Sequence, residues 1–277
     1  TAHLRRDPFT WQLDPRSGST FEWAFHAVGL DRALNLGQGS PSILVGVVDT
    51  GVASVRDLQG KVAATFWNPR TSRSANDTVG HGTFVSSIIA ARNDDDAGLA
   101  GFCGACRLAV YKATPSTDVE IAAGIVRLTD AHVRIINLSV VLPTPSPAIV
   151  DALDYATAAG VLVVAATGNE GLGSVDFPAS HLQPAGGTAA AGLAVGASDA
   201  RGRPASFSNG GAQLSLLAPG TYDSGCATGI VGALPPASSE LDLGRPSQYF
   251  LLFGFMVFLP LAFAAFGAMI WWRRRKG

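Results

Sequence analysis

The sequence predicts an α/β fold, a parallel sheet with helices on both faces, and three observations predict it. Short runs of β-branched and small apolar residues recur at 43–48, 108–111, 133–138, 161–165 and 193–195. They are nearly continuous rather than alternating, as strands covered on both faces are. Between them lie apolar sets at helical spacing, and the alternation persists over most of the first 200 residues. Strand, helix, strand in that order folds as right-handed parallel crossovers.

The first element is an arm over 1–40, with Trp11, Phe21, Trp23, Phe25 and Leu30 as apolar anchors and Gly37 and Gly39 before the first strand. Pro41 and Gly51 bound the 43–48 run. Phe84, Val85, Ile88 and Ile89 mark one helix. Ile121, Ala122, Ile125 and Leu128 mark a second, with Asp118 as its expected N-cap. Ile149, Val150 and Leu153 mark a third, stopped by Gly160. Functional groups in such sheets gather at the carboxyl ends of the strands. That rule singles out Asp49 after the first run, Ser139 after 133–138 and Asn169 after 161–165.

Charge and composition narrow the function classes. Lysine and arginine total 20 against 21 acids, so no field favours a nucleic-acid partner. Four of those cations, Arg273, Arg274, Arg275 and Lys276, lie in the last five residues. Just before them, residues 250–272 carry no charge. At 1.5 Å per residue this stretch reaches about 34 Å, enough to cross a hydrocarbon core of about 30 Å. Trp271 and Trp272 stand where an interfacial belt belongs, and the basic end points to the cytoplasm. The expected layout is an arm at 1–40, a main domain at 41–232, a stalk at 233–248, a single membrane span at 249–272 and a cytoplasmic tail at 273–277. The main domain then lies outside the cell membrane, with the lipid bilayer as a partner. Thr1 opens no basic-then-apolar leader, so an outside domain implies one removed or omitted. Of three cysteines, Cys103 and Cys106 form a Cys-x-x-Cys, while Cys226 stands alone. Outside the cell a local disulfide is the favoured reading, with free thiols or half a metal site as alternatives.

Three motifs carry chemistry. Val47-Val48-Asp49-Thr50-Gly51 delivers an acid at a strand end. Gly80-His81-Gly82-Thr83 delivers an imidazole at a helix start. Ala165-Ala166-Thr167-Gly168-Asn169-Glu170-Gly171 delivers a carboxamide, with a plain turn asparagine as the alternative. A carboxylate that fixes an imidazole's tautomer, and an imidazole that takes a hydroxyl proton, are two parts of nucleophilic acyl transfer.

In this order the three motifs resemble the subtilisin-like serine peptidases (subtilases, S8-type). Further matches are Phe177-Pro178-Ala179-Ser180, Ala194-Val195-Gly196-Ala197, Ala205-Ser206-Phe207-Ser208-Asn209 and Leu217-Ala218-Pro219-Gly220. The resemblance implies a subtilisin-like sheet and a protein or peptide substrate. It implies Asp49 as orienting acid, His81 as general base and Asn169 as oxyanion donor. Asn137, Leu138 and Ser139 correspond to the substrate-flanking strand, although Val140, Val141, Leu142 and Pro143 follow where the family has small residues. No cofactor is required, and calcium is possible at Asn93-Asp94-Asp95-Asp96, with a solvated acidic loop as the alternative in the absence of EF-hand spacing.

One departure is large. After Gly220 no Gly-Thr-Ser occurs, and Ser224, Ser238, Ser239 and Ser247 lie in unlike contexts, so the nucleophile is unassigned. The expected sheet is therefore incomplete at its C-terminal end. The expected function is a membrane-anchored extracellular serine endopeptidase by descent, without normal turnover. A non-catalytic peptide-binding or secretion-assembly component is the alternative.

Overall fold

A computed structural model describes residues 24, 27–33, 36–93, 98, 100–183 and 192–220. The elements run α1 Leu30–Ala33, β1 Leu44–Asp49, a 3-10 turn Arg56–Leu58, β2 Val62–Trp67, α2 His81–Ala90 and β3 Arg107–Lys112. They continue with α3 Asp118–Asp130, β4 Ile135–Leu138, α4 Pro147–Ala158, β5 Leu162–Ala166, α5 Ala179–Leu182, β6 Gly192–Ser198 and β7 Leu216–Pro219. The strands form one seven-stranded sheet in the order β2-β3-β1-β4-β5-β6-β7. Every pairing is parallel.

From β1 the chain crosses to the edge strand β2, returns to β3 between β2 and β1, and then builds outward on the other side from β4 to β7. The direction of winding therefore reverses between β1 and β4. In open α/β sheets that reversal opens a crevice beyond the strand ends, where ligands bind. Asp49 ends β1, and Leu138 at the end of β4 pairs with both Val48 and Ala165. The three strand ends relevant to the site are thus in register.

The strands' alternating side chains feed two cores. On one face Val45, Val47, Leu108 and Val110 pack with Val85, Ile89 and Ala90 of α2. On the other, Val48, Ala109, Tyr111, Ile136 and Val163 pack with α3 and α4 through Ile121, Ile125, Leu128, Ile149 and Leu153. Two glycines let α3 come close. A Cβ at Gly124 would stand 2.8 Å from Tyr111 Cδ1 and 2.9 Å from Val48 Cγ1, and one at Gly46 would stand 3.0 Å from Leu128 Cδ1.

Two strands were not visible as apolar runs. β2 alternates half-buried and exposed residues, as an edge strand with one covered face does. β7 is four residues long and closes on Pro219. The N-cap of α3 is also corrected. Thr117, not Asp118, caps it: its extended backbone brings Oγ1 to accept the Glu120 N–H at 3.3 Å, while Asp118 is the first helical residue. Thr117→Ala is expected to cost about 1 kcal/mol, read as a fall in Tm of about 3 °C by calorimetry.

The arm over 1–23, the stalk, the 249–272 segment, the basic tail and Cys226 lie outside the described residues. So does the expected gap at the C-terminal end of the sheet. Among the described residues, no helix is long and apolar enough to cross a membrane.

Candidate active site

β1 carries Asp49 to the crevice, and α2 begins with His81 directly beside it. Asp49 Oδ1 lies 2.6 Å from His81 Nδ1 and also accepts the Thr50 N–H at 2.7 Å. Both side chains are sequestered, at 1 % and 9 % exposure for Asp49 and His81. Oδ2 of Asp49 is buried with no hydrogen-bond partner among the described residues. A carboxylate so placed fixes the Nδ1–H tautomer and turns its remaining charge toward an imidazolium.

Glycine makes the approach possible. A Cβ on Gly82 would sit 2.3 Å from the Gly51 carbonyl oxygen and 3.1 Å from Asp49 Oδ1. Gly80, the N-cap of α2, has φ 98° and offers no side chain to cap the helix. Those N–H groups are satisfied from elsewhere. Thr50 Oγ1 accepts the Gly82 N–H at 2.8 Å. Asp77 accepts from Val79 N, Gly80 N and Thr83 N, each at 2.9 Å. Sequence reasoning missed both roles. The available signal was an aspartate shortly before a glycine-flanked helix start.

Asn169 stands on the same edge, beyond β5 and so two strands from β1. Left-handed backbone in its loop falls on Gly168 and Gly171, not on the asparagine. Its N–H donates to Glu170 Oε2 at 2.7 Å. Asn209, quoted above only as part of a motif, holds this loop: its Oδ1 accepts from Glu170 N at 3.0 Å and Leu172 N at 2.9 Å. Its Nδ2 donates to Glu170 Oε2 at 2.9 Å and Asp176 Oδ2 at 3.0 Å.

Two carboxylates thus converge on one amide. Burial, then the neighbouring Glu170 charge and its hydrogen bond, pushes the Asp176 carboxyl above its ordinary range. For an acid with a raised folded pKa, the folded chain holds more protons than the unfolded one between the two values. Stability therefore falls as pH rises through the folded pKa. Asp176→Asn is expected to remove that slope, so its Tm relative to wild type should climb between pH 4 and pH 7. A difference that stays constant over this interval would contradict the assignment.

Asn137, Leu138 and Ser139 are all buried, and Asn137 Nδ2 donates to Ser139 Oγ at 3.0 Å. The segment beyond them is held by an antiparallel bridge, with Leu142 N–H donating to the Phe177 carbonyl at 2.8 Å. Cys103 and Cys106 are joined by a disulfide, with Cα atoms 5.2 Å apart, just before the amino end of β3. That is the end of the sheet opposite Asp49. Asn93 Oδ1 is engaged by the Gly101 N–H at 2.8 Å. Asp94, Asp95 and Asp96 lie outside the described residues.

An acid–imidazole pair at the end of β1 and an asparagine loop beyond β5 is the arrangement that the sequence motifs anticipated. The description Peptidase S8, subtilase family, matches residues 40–244. The chain belongs to the subtilase family. This subtilase is 37 % identical to Subtilisin Savinase of Lederbergia lenta over 202 residues, which cover 72 % of the chain and 71 % of that relative. It is equally identical to an alkaline protease of Shouchella clausii over 72 % of its own length, but spans only 50 % of that protein. Among solved structures it is similar to the prenylagaramide maturation protease PagA. The TM-score is 0.56 and the identity 28 %, over 69 % of this chain and 68 % of PagA.

Proposed function

We propose that this subtilase is a membrane-anchored extracellular serine endopeptidase by descent, with Asp49 orienting His81, His81 as general base and Asn169 as oxyanion donor. The 2.6 Å bond between Asp49 and His81 at the sheet's carboxyl edge carries the reading. In peptide hydrolysis an imidazole so held takes a proton from the attacking hydroxyl and returns it to the leaving amine. A carboxamide beside the reacting carbonyl stabilises the developing oxyanion. The 277 residues contain no Gly-Thr-Ser, so turnover by these residues alone is not expected. Full-length protein in detergent should hydrolyse casein no faster than its His81→Ala variant. Hydrolysis abolished by that substitution would overturn the loss of turnover.

The same missing motif favours a second reading, a non-catalytic component that binds peptide or takes part in secretion assembly. Fluorescence anisotropy with labelled peptides separates the two: saturable binding without cleavage supports it, and absence of binding removes it.

The single-pass topology is proposed on the uncharged 250–272 stretch and the basic residues after it. Protease treatment of intact cells should release the large domain, and protection of the whole chain would contradict the orientation. Calcium is proposed at the loop that starts at Asn93. The dense carboxylates of Asp94, Asp95 and Asp96 in the sequence suit a hard cation. Chelation should then lower Tm, by about 2.7 kcal/mol of stability where free calcium had stood at a hundred times Kd. An unchanged Tm would remove calcium.

A further inference from the structure

Asp49 and His81 sit on different elements, separated by an excursion through β2 and a long loop, yet they meet at 2.6 Å. Something must fix the start of α2 against the end of β1. Gly80 cannot, because it has no side chain, and the helix start is left with N–H groups that need acceptors. Asp77 supplies them. Besides the Val79, Gly80 and Thr83 N–H groups, its Oδ1 accepts from Thr50 Oγ1 at 2.9 Å and its Oδ2 from Thr83 Oγ1 at 2.6 Å. Five donors thus converge on one carboxylate that is 2 % exposed.

These donors flank the acid–imidazole pair on both sides. Thr50 follows Asp49 directly and passes the link on by accepting the Gly82 N–H, while Gly80 and Thr83 bracket His81 and Gly82. Thr83 Oγ1 also accepts the Ala53 N–H at 2.9 Å, which ties the same helix turn to the loop after β1. From β3, Lys112 Nζ donates to the Asn76 carbonyl next to Asp77. The charged groups around the helix start are therefore Asp49, Asp77, Lys112 and His81 itself. The positive end of α2 disfavours an imidazolium at its first residue, and a second carboxylate there offsets it.

We infer that Asp77 is a positioning residue for the Asp49–His81 pair: it clamps the end of β1 to the start of α2 and holds His81 in its Nδ1–H tautomer beside Asp49. The inference rests on reading Asp49 and His81 as acid and base. Its test does not require turnover, so loss of the endopeptidase reading leaves the test intact.

Full-length chain in detergent, labelled with 15N at its five histidines, gives ring-nitrogen shifts, with His81→Gln assigning the His81 signals. Wild type should show the Nδ1–H tautomer throughout the neutral range. Asp77→Ala should mix the two tautomers. Asp77→Asn retains an acceptor for Thr50, Val79 and Gly80 and loses the one facing Thr83, so it should show a smaller change of the same kind. Should Asp77→Ala fail to fold, Asp77→Asn decides.

Glu120→Gln is the stability control. Glu120 is a buried acid that accepts from Tyr111, Asn68 and Thr71 on the other face of the sheet. It should lower Tm and leave the His81 signals in place. Unchanged His81 signals in a folded Asp77 variant, or an equal change in Glu120→Gln, would overturn the inference.

Discussion

Gly82→Ala should lower the stability by about 3 kcal/mol, through overpacking at a site with no room to relax, and Tm by about 10 °C. The new Cβ would stand 2.3 Å from the Gly51 carbonyl oxygen and 3.1 Å from both Cβ and Oδ1 of Asp49. Neither neighbour yields cheaply. The first is backbone in a turn whose Val52 N–H is bonded to Ala75. The second is a carboxylate held by His81 and the Thr50 N–H. The helix must therefore shift away from β1, which opens the acid–imidazole contact together with the fold. Calorimetry and the His81 ring signals should change in concert. A variant that melts within about 2 °C of wild type would show that the turn after β1 accommodates a methyl group.

Leu128→Ala should cost a similar amount, about 3 kcal/mol, for a different reason. Leu128 is fully buried in α3, and its Cδ1 fills the space over Gly46, a residue with no side chain to relax into the cavity. Yet α3 lies across the sheet from α2. The His81 signals should stay at their wild-type positions while Tm falls. A shift in those signals would mean that the two faces are coupled through β1 more tightly than their separate cores imply.

These two substitutions show what the sequence made legible and what it did not. β1, β3, β4, β5 and β6 could be read because strands covered on both faces are nearly continuous apolar runs. β2 could not, since only one of its faces is covered and its residues alternate. Nor could β7, which is short and still exposes Leu216. Asp49 and His81 stood out because small residues crowd them, and Gly51 and Gly82 have steric reasons to be glycine. Asp77 and Asn209 did not stand out. A polar residue in a loop looks solvated until the N–H groups it accepts are known, and those come from residues that only the fold brings together. Glu170 and Asp176 were hidden for the same reason: six residues apart in sequence, they are brought together at the Asn209 amide.

We propose that this subtilase aligns Asp49 and His81 as acid and base while its sequence displays no recognisable nucleophile. Fluorophosphonate labelling of the full-length chain, followed by peptide mapping, tests it most directly, because the reagent modifies serines that an adjacent imidazole activates. No serine adduct that depends on His81 is expected. An adduct on any serine that disappears in both His81→Ala and Asp49→Ala would contradict it, and would identify the nucleophile that the sequence does not display.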